Sequence, residues 1–134
     1  AELLLIQRQD TGRWLYPTGW ADVGYSLAEV VVKEVREETG IEVEPLRVIA
    51  ILDSLRLEAS NVPFYSIVFH CKALGGSLSP HAAEARDLGW FSEDALPSPL
   101  AGEGHWCGMA FAAVRGEPLE VSFDRPREAT RRRS

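Results

Sequence analysis

The chain has 134 residues, the usual size of one domain, and its 46% hydrophobic and 25% charged residues are typical of a globular protein. Its net charge is −6, although five arginines follow position 124, so residues 1–123 carry 9 basic and 18 acidic side chains. A body this acidic repels phosphate backbones, and no run approaches the ~18 apolar residues of a membrane span, so we expect neither a nucleic-acid nor a membrane partner.

Apolar runs and turn residues predict several strands and two helices. In chain order the predicted elements are a strand at 3–6, a turn at 10–12, an extended piece at 14–17, a loop at 18–25, a helix at 26–39, strands at 46–52 and 64–73, a turn at 74–77, a strand at 88–91, an acidic helical turn at 93–96 and a helix at 105–114. This mixture predicts an α/β or α+β layer architecture. We expect one domain over 1–123 and a solvated, disordered, Arg-rich tail over 124–134.

The first predicted helix has a recognisable residue at each end. Ser26 followed by Glu29 is the pattern of a capping box, in which the two residues satisfy each other's backbone N–H groups. Gly40 stands where a helix commonly ends in a left-handed residue. Glu29 also precedes Lys33 by four residues, the favoured order for a helical ion pair.

The same helix places three carboxylates beside its apolar side. Glu34, Glu37 and Glu38 stand at i, i+3 and i+4, a spacing at which like charges repel unless a cation lies between them. A divalent metal is the obvious cation for an acidic protein that binds an anionic ligand, whereas the alternative is a solvated acidic face. The predicted core side of the helix consists of Leu27, Ala28, Val31, Val32 and Val35.

The segment from Gly19 to Ile41 resembles the Nudix box, G-x5-E-x7-R-E-U-x-E-E-x-G-U, where U is a bulky aliphatic residue. Seven of the nine specified positions match, namely Gly19, Glu34, Val35, Glu37, Glu38, Gly40 and Ile41. The two departures are Tyr25, where the family has Glu, and Lys33, where it has Arg. We expect a Glu29–Lys33 ion pair to substitute in part for the missing pair.

The resemblance implies a fold and a subfamily. The family has a mixed β-sheet sandwiched between helices, with the box as a loop–helix–loop. The sequence G-W-A-D-V-G over residues 19–24 resembles a subfamily similar to ADP-ribose pyrophosphatases. Many members are homodimers, so a homodimer is the corresponding expectation. The two cysteines, Cys71 and Cys107, demand no oxidising compartment, so a cytoplasmic location is expected.

The resemblance also implies the site residues. Glu34, Glu37, Glu38 and the backbone carbonyl of Gly19 are the expected ligands of Mg²⁺, for which Mn²⁺ is a possible substitute. The general base is expected to be a box glutamate, Glu34 or Glu37, or the loop residue Glu84, and the sequence does not choose between them. Trp20 follows the box glycine and is expected either to stack on a nucleotide base or to pack the loop.

The resemblance therefore implies a Mg²⁺-dependent hydrolase that cleaves the pyrophosphate bond of a nucleoside diphosphate linked to another moiety. Substrates similar to ADP-ribose or to CDP-alcohols are expected from the subfamily resemblance. Two alternatives stay open. One is a nucleoside triphosphate pyrophosphatase, and the other is a non-catalytic nucleotide-binding module, which the two departures from the box allow.

Overall fold

Strands in two sheets and two helices form the fold in the residues that the computed structural model describes, which are 1–59, 62–79 and 85–126. The strands are β1 (Glu2–Arg8), β2 (Trp14–Leu15), β3 (Ile41–Asp53), β4 (Tyr65–Gly76), β5 (Ala85–Ser92) and β6 (Ser122–Phe123). The helices are α1 (Leu27–Thr39) and α2 (Cys107–Val114), and short 3-10 turns lie at Glu93–Ala95 and Ala101–Gly104. None of the helices in these ranges is long and apolar enough to cross a membrane.

The strands are divided between two three-stranded sheets. The first has the order β2-β1-β5 and is antiparallel, whereas in the second, of order β4-β3-β6, β3 pairs antiparallel with β4 and parallel with β6. Helix α1 packs on β3, and α2 contacts β1, β3 and β4. The α+β class with a mixed sheet is therefore confirmed.

The core lies between the strands and α2. Trp106 is 2% exposed, and its indole N–H donates a hydrogen bond of 2.8 Å to the carbonyl of Ala101. Trp14 and Phe91 bring β2 and β5 together in an edge-to-face contact with ring centroids 5.1 Å apart. Around these rings the fully buried aliphatic side chains are Leu5, Leu15, Leu52 and Leu57.

The hairpin of β3 and β4 is longer than the sequence predicts. The turn predicted at 74–77 is wrong, because Gly75 and Gly76 pair with Glu42 and Ile41 at the start of β3. Gly76 has φ 95°, and a Cβ there would overlap with the carbonyl oxygen of Gly40. Gly76 is therefore needed for the close approach of β4 to the end of α1, whereas a Cβ at Gly75 would meet no heavy atom within 4 Å.

The buried surface of α1 also differs from the prediction. Leu27 and Ala28 are exposed, whereas Val30, Glu38 and Thr39 are buried. The helix contacts β3 mainly, so burial increases toward its C-terminal end, where β3 begins. The side chain of Thr39 is fully buried there and connects the two elements, since its hydroxyl donates to the carbonyl of Val35 at 2.6 Å and accepts from the N–H of Ile41 at 3.1 Å.

Candidate active site

The helix that carries the three carboxylates begins and ends as predicted. Ser26 and Glu29 form a complete capping box, in which the Ser26 N–H donates to Glu29 Oε1 at 2.8 Å and the Glu29 N–H donates to Ser26 Oγ at 3.2 Å. Gly40 has φ 82° and donates its N–H to the Arg36 carbonyl at 2.9 Å. The register of the carboxylates on the helix surface is fixed by these two ends.

The three carboxylates have different environments. Glu37 is exposed, Glu34 is half-buried and Glu38 is only 6% exposed. Glu38 follows Val31 by seven residues, which is two helical turns, so its side chain points in the direction of the apolar stripe. The site therefore has one carboxylate held in the interior and two nearer to solvent.

The loop before the helix approaches the first of these carboxylates. A Cβ built on Gly19 would overlap with the carboxyl carbon and Cγ of Glu34. The backbone at position 19 therefore lies directly against this carboxyl group, and any side chain would push it away. This contact brings together two of the residues that the sequence assigns to the metal site.

A second contact joins the same loop to α1, and it corrects an expectation. Lys33 Nζ lies 2.7 Å from Asp22 Oδ2, and this hydrogen bond raises the pKa of Lys33 above its usual value. The Lys33 ammonium also lies 5.7 Å from the centroid of the Tyr25 ring. The expected Glu29–Lys33 pair is wrong, because Glu29 is used in the capping box and the acidic partner comes from the loop.

Trp20 lies at the surface beside an aromatic side chain that the sequence reasoning missed. It is 70% exposed, and its ring centroid lies 4.8 Å from that of Phe64, with the two planes tilted by 54°. Phe64 precedes β4 and is 44 positions away in the chain, so no local pattern indicates the pairing. Its position after Val62-Pro63, at the start of a predicted strand, is the only sequence signal.

These residues share one large cleft with a volume of about 1770 Å³. Tyr16 lies on its wall with its hydroxyl 3.1 Å from Ser66 Oγ, and burial raises the pKa of Tyr16 to about 12, so the phenol stays protonated. The cationic side chains in the lining are Arg8, Arg13 and Lys33. The lining also includes Phe64 and five residues of the segment from Gly19 to Ile41, namely Gly19, Trp20, Glu34, Glu37 and Glu38.

The cleft supplies oxygen donors suited to a hard divalent cation such as Mg²⁺. The side chains are not arranged around a single point, since no three His, Cys, Asp or Glu side chains in the described ranges lie close enough to hold one metal ion. The backbone approach at Gly19 and the buried carboxylate of Glu38 are the features that fit such an ion. Glu84, the expected loop carboxylate, lies outside the described residues.

Comparison with known proteins gives the family. Residues 1–110 match the NUDIX domain. The chain belongs to the NUDIX family. A Bacillus subtilis relative, YjhB, whose name assigns it provisionally to the ADP-ribose pyrophosphatases, is 32% identical over 127 residues, which cover 92% of this chain.

Two solved structures share the fold. An ADP-ribose pyrophosphatase from Streptococcus suis is 38% identical with a TM-score of 0.74, and the match covers 92% of this chain and 90% of that one. A UDP-X diphosphatase is 28% identical with a TM-score of 0.74, and the match covers 90% of this chain and 60% of that one. The chain also spans only 61% of the length of YjhB.

Proposed function

We propose that the chain is a Mg²⁺-dependent hydrolase that cleaves the pyrophosphate bond of a nucleoside diphosphate linked to another moiety. The observation that carries this proposal is the contact between the Gly19 backbone and the Glu34 carboxyl group, in a cleft that also contains Glu37 and Glu38. A backbone carbonyl beside several carboxylates is an all-oxygen donor set.

The proposed ligands of the cation are Glu34, Glu37, Glu38 and the Gly19 carbonyl. When bound, Mg²⁺ neutralises phosphate charge and lowers the pKa of a coordinated water. The 6% exposure of Glu38 and its place in the cleft lining support this assignment, because they put a carboxylate oxygen donor where bulk water has little access.

The protein itself supplies a base and the means to hold the substrate. We propose that Glu34, Glu37 or Glu84 accepts the proton of the attacking water, a role that requires a carboxylate within hydrogen-bond reach of that water. Arg8 and Arg13 line the same cleft and offer positive charge to the phosphates of the substrate.

The substrate class is proposed from the relatives and from the exposed ring of Trp20. YjhB, the S. suis protein and the UDP-X diphosphatase carry names that refer to nucleoside diphosphates joined to another group. Trp20 and Phe64 offer an aromatic surface at the cleft on which a base can stack. A substrate similar to ADP-ribose is therefore proposed, as is membership of the subfamily with the G-W-A-D-V-G loop. A homodimer is proposed from the family resemblance alone, and a cytoplasmic location from the cysteine usage alone.

The test is a panel of ADP-ribose, CDP-choline, UDP-glucose and nucleoside triphosphates, incubated with Mg²⁺ and each of three proteins. These are the wild type, Glu38→Gln, and Glu120→Gln as a control that removes one negative charge from an exposed position before β6. We expect the wild type and Glu120→Gln to convert ADP-ribose to AMP and ribose 5-phosphate, and Glu38→Gln to lose at least about a hundredfold in rate.

Other outcomes would change the assignment. Turnover of triphosphates in preference to the other substrates would make the chain a nucleoside triphosphate pyrophosphatase. Binding of a nucleotide without turnover in any arm would make it a non-catalytic module. Equal activity of Glu38→Gln and the wild type would remove Glu38 from the chemistry.

A further inference from the structure

We propose that Asp22, Tyr25 and Lys33, which we call the Lys33 clasp, hold the Gly19 loop in its catalytic position against α1. Asp22 is thereby assigned as the acidic partner that compensates for the two departures from the box. All three are positioning residues. The catalytic consequence rests on the proposed function, whereas the effect on the loop does not.

The clasp contains two contacts to one ammonium group. Lys33 Nζ lies 2.7 Å from Asp22 Oδ2, and the same atom lies 5.7 Å from the centroid of the Tyr25 ring. The first contact is a charge-assisted hydrogen bond, and the second is within the range of a cation–π interaction. A single helical side chain therefore binds both ends of a four-residue loop segment.

A tight turn explains how Asp22 and Tyr25 reach the same ammonium group. The Tyr25 N–H donates to the Asp22 carbonyl at 3.4 Å, and Gly24 between them has φ 91°. A positive φ at the third residue of a turn is the requirement of type II, which favours glycine there. Gly24 thus returns the chain on itself and places the two residues on one side of the turn.

The clasp lies immediately beside the contact that carries the proposed function. Lys33 is the sequence neighbour of Glu34, and Asp22 follows Gly19 by three residues. The Gly19–Glu34 contact and the Asp22–Lys33 contact therefore join the same two segments, the loop at 18–25 and α1. The start of the loop is restrained separately, since Arg8 Nη1 donates to Thr18 Oγ1 at 3.4 Å.

The solvent exposure of Lys33 and Asp22 indicates that their ion pair positions the Gly19 loop and does not stabilise the fold. The side chains of Lys33 and Asp22 are 36% and 41% exposed. Ion pairs at such positions contribute little to the free energy of unfolding. Removal of the pair is therefore expected to release the loop while the fold remains intact.

The experiment compares Asp22→Asn, Lys33→Met, the double variant and the conservative Lys33→Arg. Glu93→Gln is the matched control, because Glu93 forms an exposed ion pair of 2.8 Å with Arg115 outside the box. Backbone ¹⁵N order parameters of Gly19 and Trp20 report the loop, the thermal midpoint reports the fold, and kcat and KM report catalysis.

We expect the order parameters to fall from about 0.85 toward about 0.6 in both single variants, and to stay near the wild-type values in Lys33→Arg and Glu93→Gln. We expect kcat on the preferred substrate to fall about tenfold with KM nearly unchanged, the lower end of what is typical for residues that orient metal ligands. The double variant should lose no more than either single variant, because the two residues act through each other.

Three results would overturn the clasp. The first is wild-type order parameters in both single variants, and the second is a loss in the double variant equal to the product of the single losses. The third is a large rise in KM for Lys33→Met but not for Asp22→Asn, since Lys33 would then contact the substrate directly. If the wild type hydrolyses nothing, the proposed function fails, and the order parameters still decide whether the clasp exists.

Discussion

The backbone of Gly19 lies against the carboxyl group of Glu34, so closely that a side-chain carbon at position 19 would overlap with it. The loop at 18–25 and helix α1 therefore meet where the backbone of Gly19 contacts the Glu34 carboxylate. The contact requires glycine because there is no room for a side chain at position 19. Backbone conformation does not require it, since Gly19 does not have a positive φ.

This contact predicts that Gly19→Ala strongly lowers the proposed hydrolase activity. The added methyl group displaces the Glu34 carboxyl group or the loop by about 1 Å, and misplacement on that scale costs on the order of a hundredfold in kcat/KM. The control is Gly75→Ala in β4, where a Cβ has no heavy atom within 4 Å. Steady-state kinetics on the preferred substrate measures kcat/KM for both variants. Wild-type activity in Gly19→Ala would contradict the prediction.

The Trp20 ring predicts a specific change in substrate binding. Base–aromatic stacking contributes about 1–3 kcal/mol per base, so Trp20→Ala should raise KM for ADP-ribose roughly 5- to 160-fold and leave kcat within about twofold. Phe64→Ala should have a smaller effect in the same direction, because Phe64 supports the Trp20 ring. Phe123→Ala, which truncates another exposed aromatic side chain, serves as the control. Unchanged KM in Trp20→Ala would assign Trp20 to loop packing.

Two glycines near the C-terminus predict opposite effects on stability. Gly108 is exposed within α2, and a Cβ there has no heavy atom within 4 Å, so Gly108→Ala should stabilise the protein by about 0.5–1 kcal/mol. Gly104 has φ 75° and a Cβ would press on Leu100, so Gly104→Ala should destabilise it. Urea unfolding with a common m-value measures both changes. A loss of stability in Gly108→Ala would show that α2 does not tolerate the added methyl group.

The two cysteines are predicted to be unreactive in the folded protein. Burial raises the pKa values of both Cys71 and Cys107 from 9.0 to about 11, so the thiolate fraction at pH 8 is roughly a hundredfold lower than for an exposed thiol. Alkylation with iodoacetamide at pH 8 should therefore be slow in buffer and complete in 8 M urea, with mass spectrometry as the readout. Alkylation should accelerate as the pH rises toward 11, and rapid labelling of either cysteine at pH 8 would contradict the burial that the structure shows.

The ends of α1 were predictable because their signals are local. Ser26, Glu29 and Gly40 act on backbone groups within four residues of themselves, so their spacing alone predicted the capping box and the left-handed end. The same local reasoning failed for Lys33. Helical spacing favoured Glu29 as its partner, but Glu29 already accepts from the Ser26 N–H, and the turn at Gly24 brings Asp22 within reach.

The other errors and omissions concern contacts between distant parts of the chain. Phe64 beside Trp20, and the extension of β4 through Gly76 beside Gly40, depend on how the sheets pack on α1, which no window of sequence contains. The structure places Gly19 with Glu34 and leaves the metal ligands, the general base and Glu84 as predictions.

The end of the chain was also predicted only in part. Asp124 accepts a hydrogen bond of 2.6 Å from the Asp53 N–H, and Arg56 donates to the carbonyl of Arg125 at 2.9 Å, so both residues contact the body of the protein. The expected boundary at 123 stays a prediction. Residues 127–134, which contain most of the Arg-rich tail, lie outside the described part of the chain.

The direct junction of α1 and β3 determines which side of the site can adjust. Thr39 hydrogen-bonds within the helix and to the first residue of the strand, with Gly40 as the single residue between the two elements. The carboxylates are consequently anchored to the sheet through this junction, so among the described residues the loop at 18–25 is the part of the site that we expect to adjust. Homologues with identical glutamates but different turnover rates should therefore differ in this loop, where a change of sequence alters kinetics without unfolding the protein.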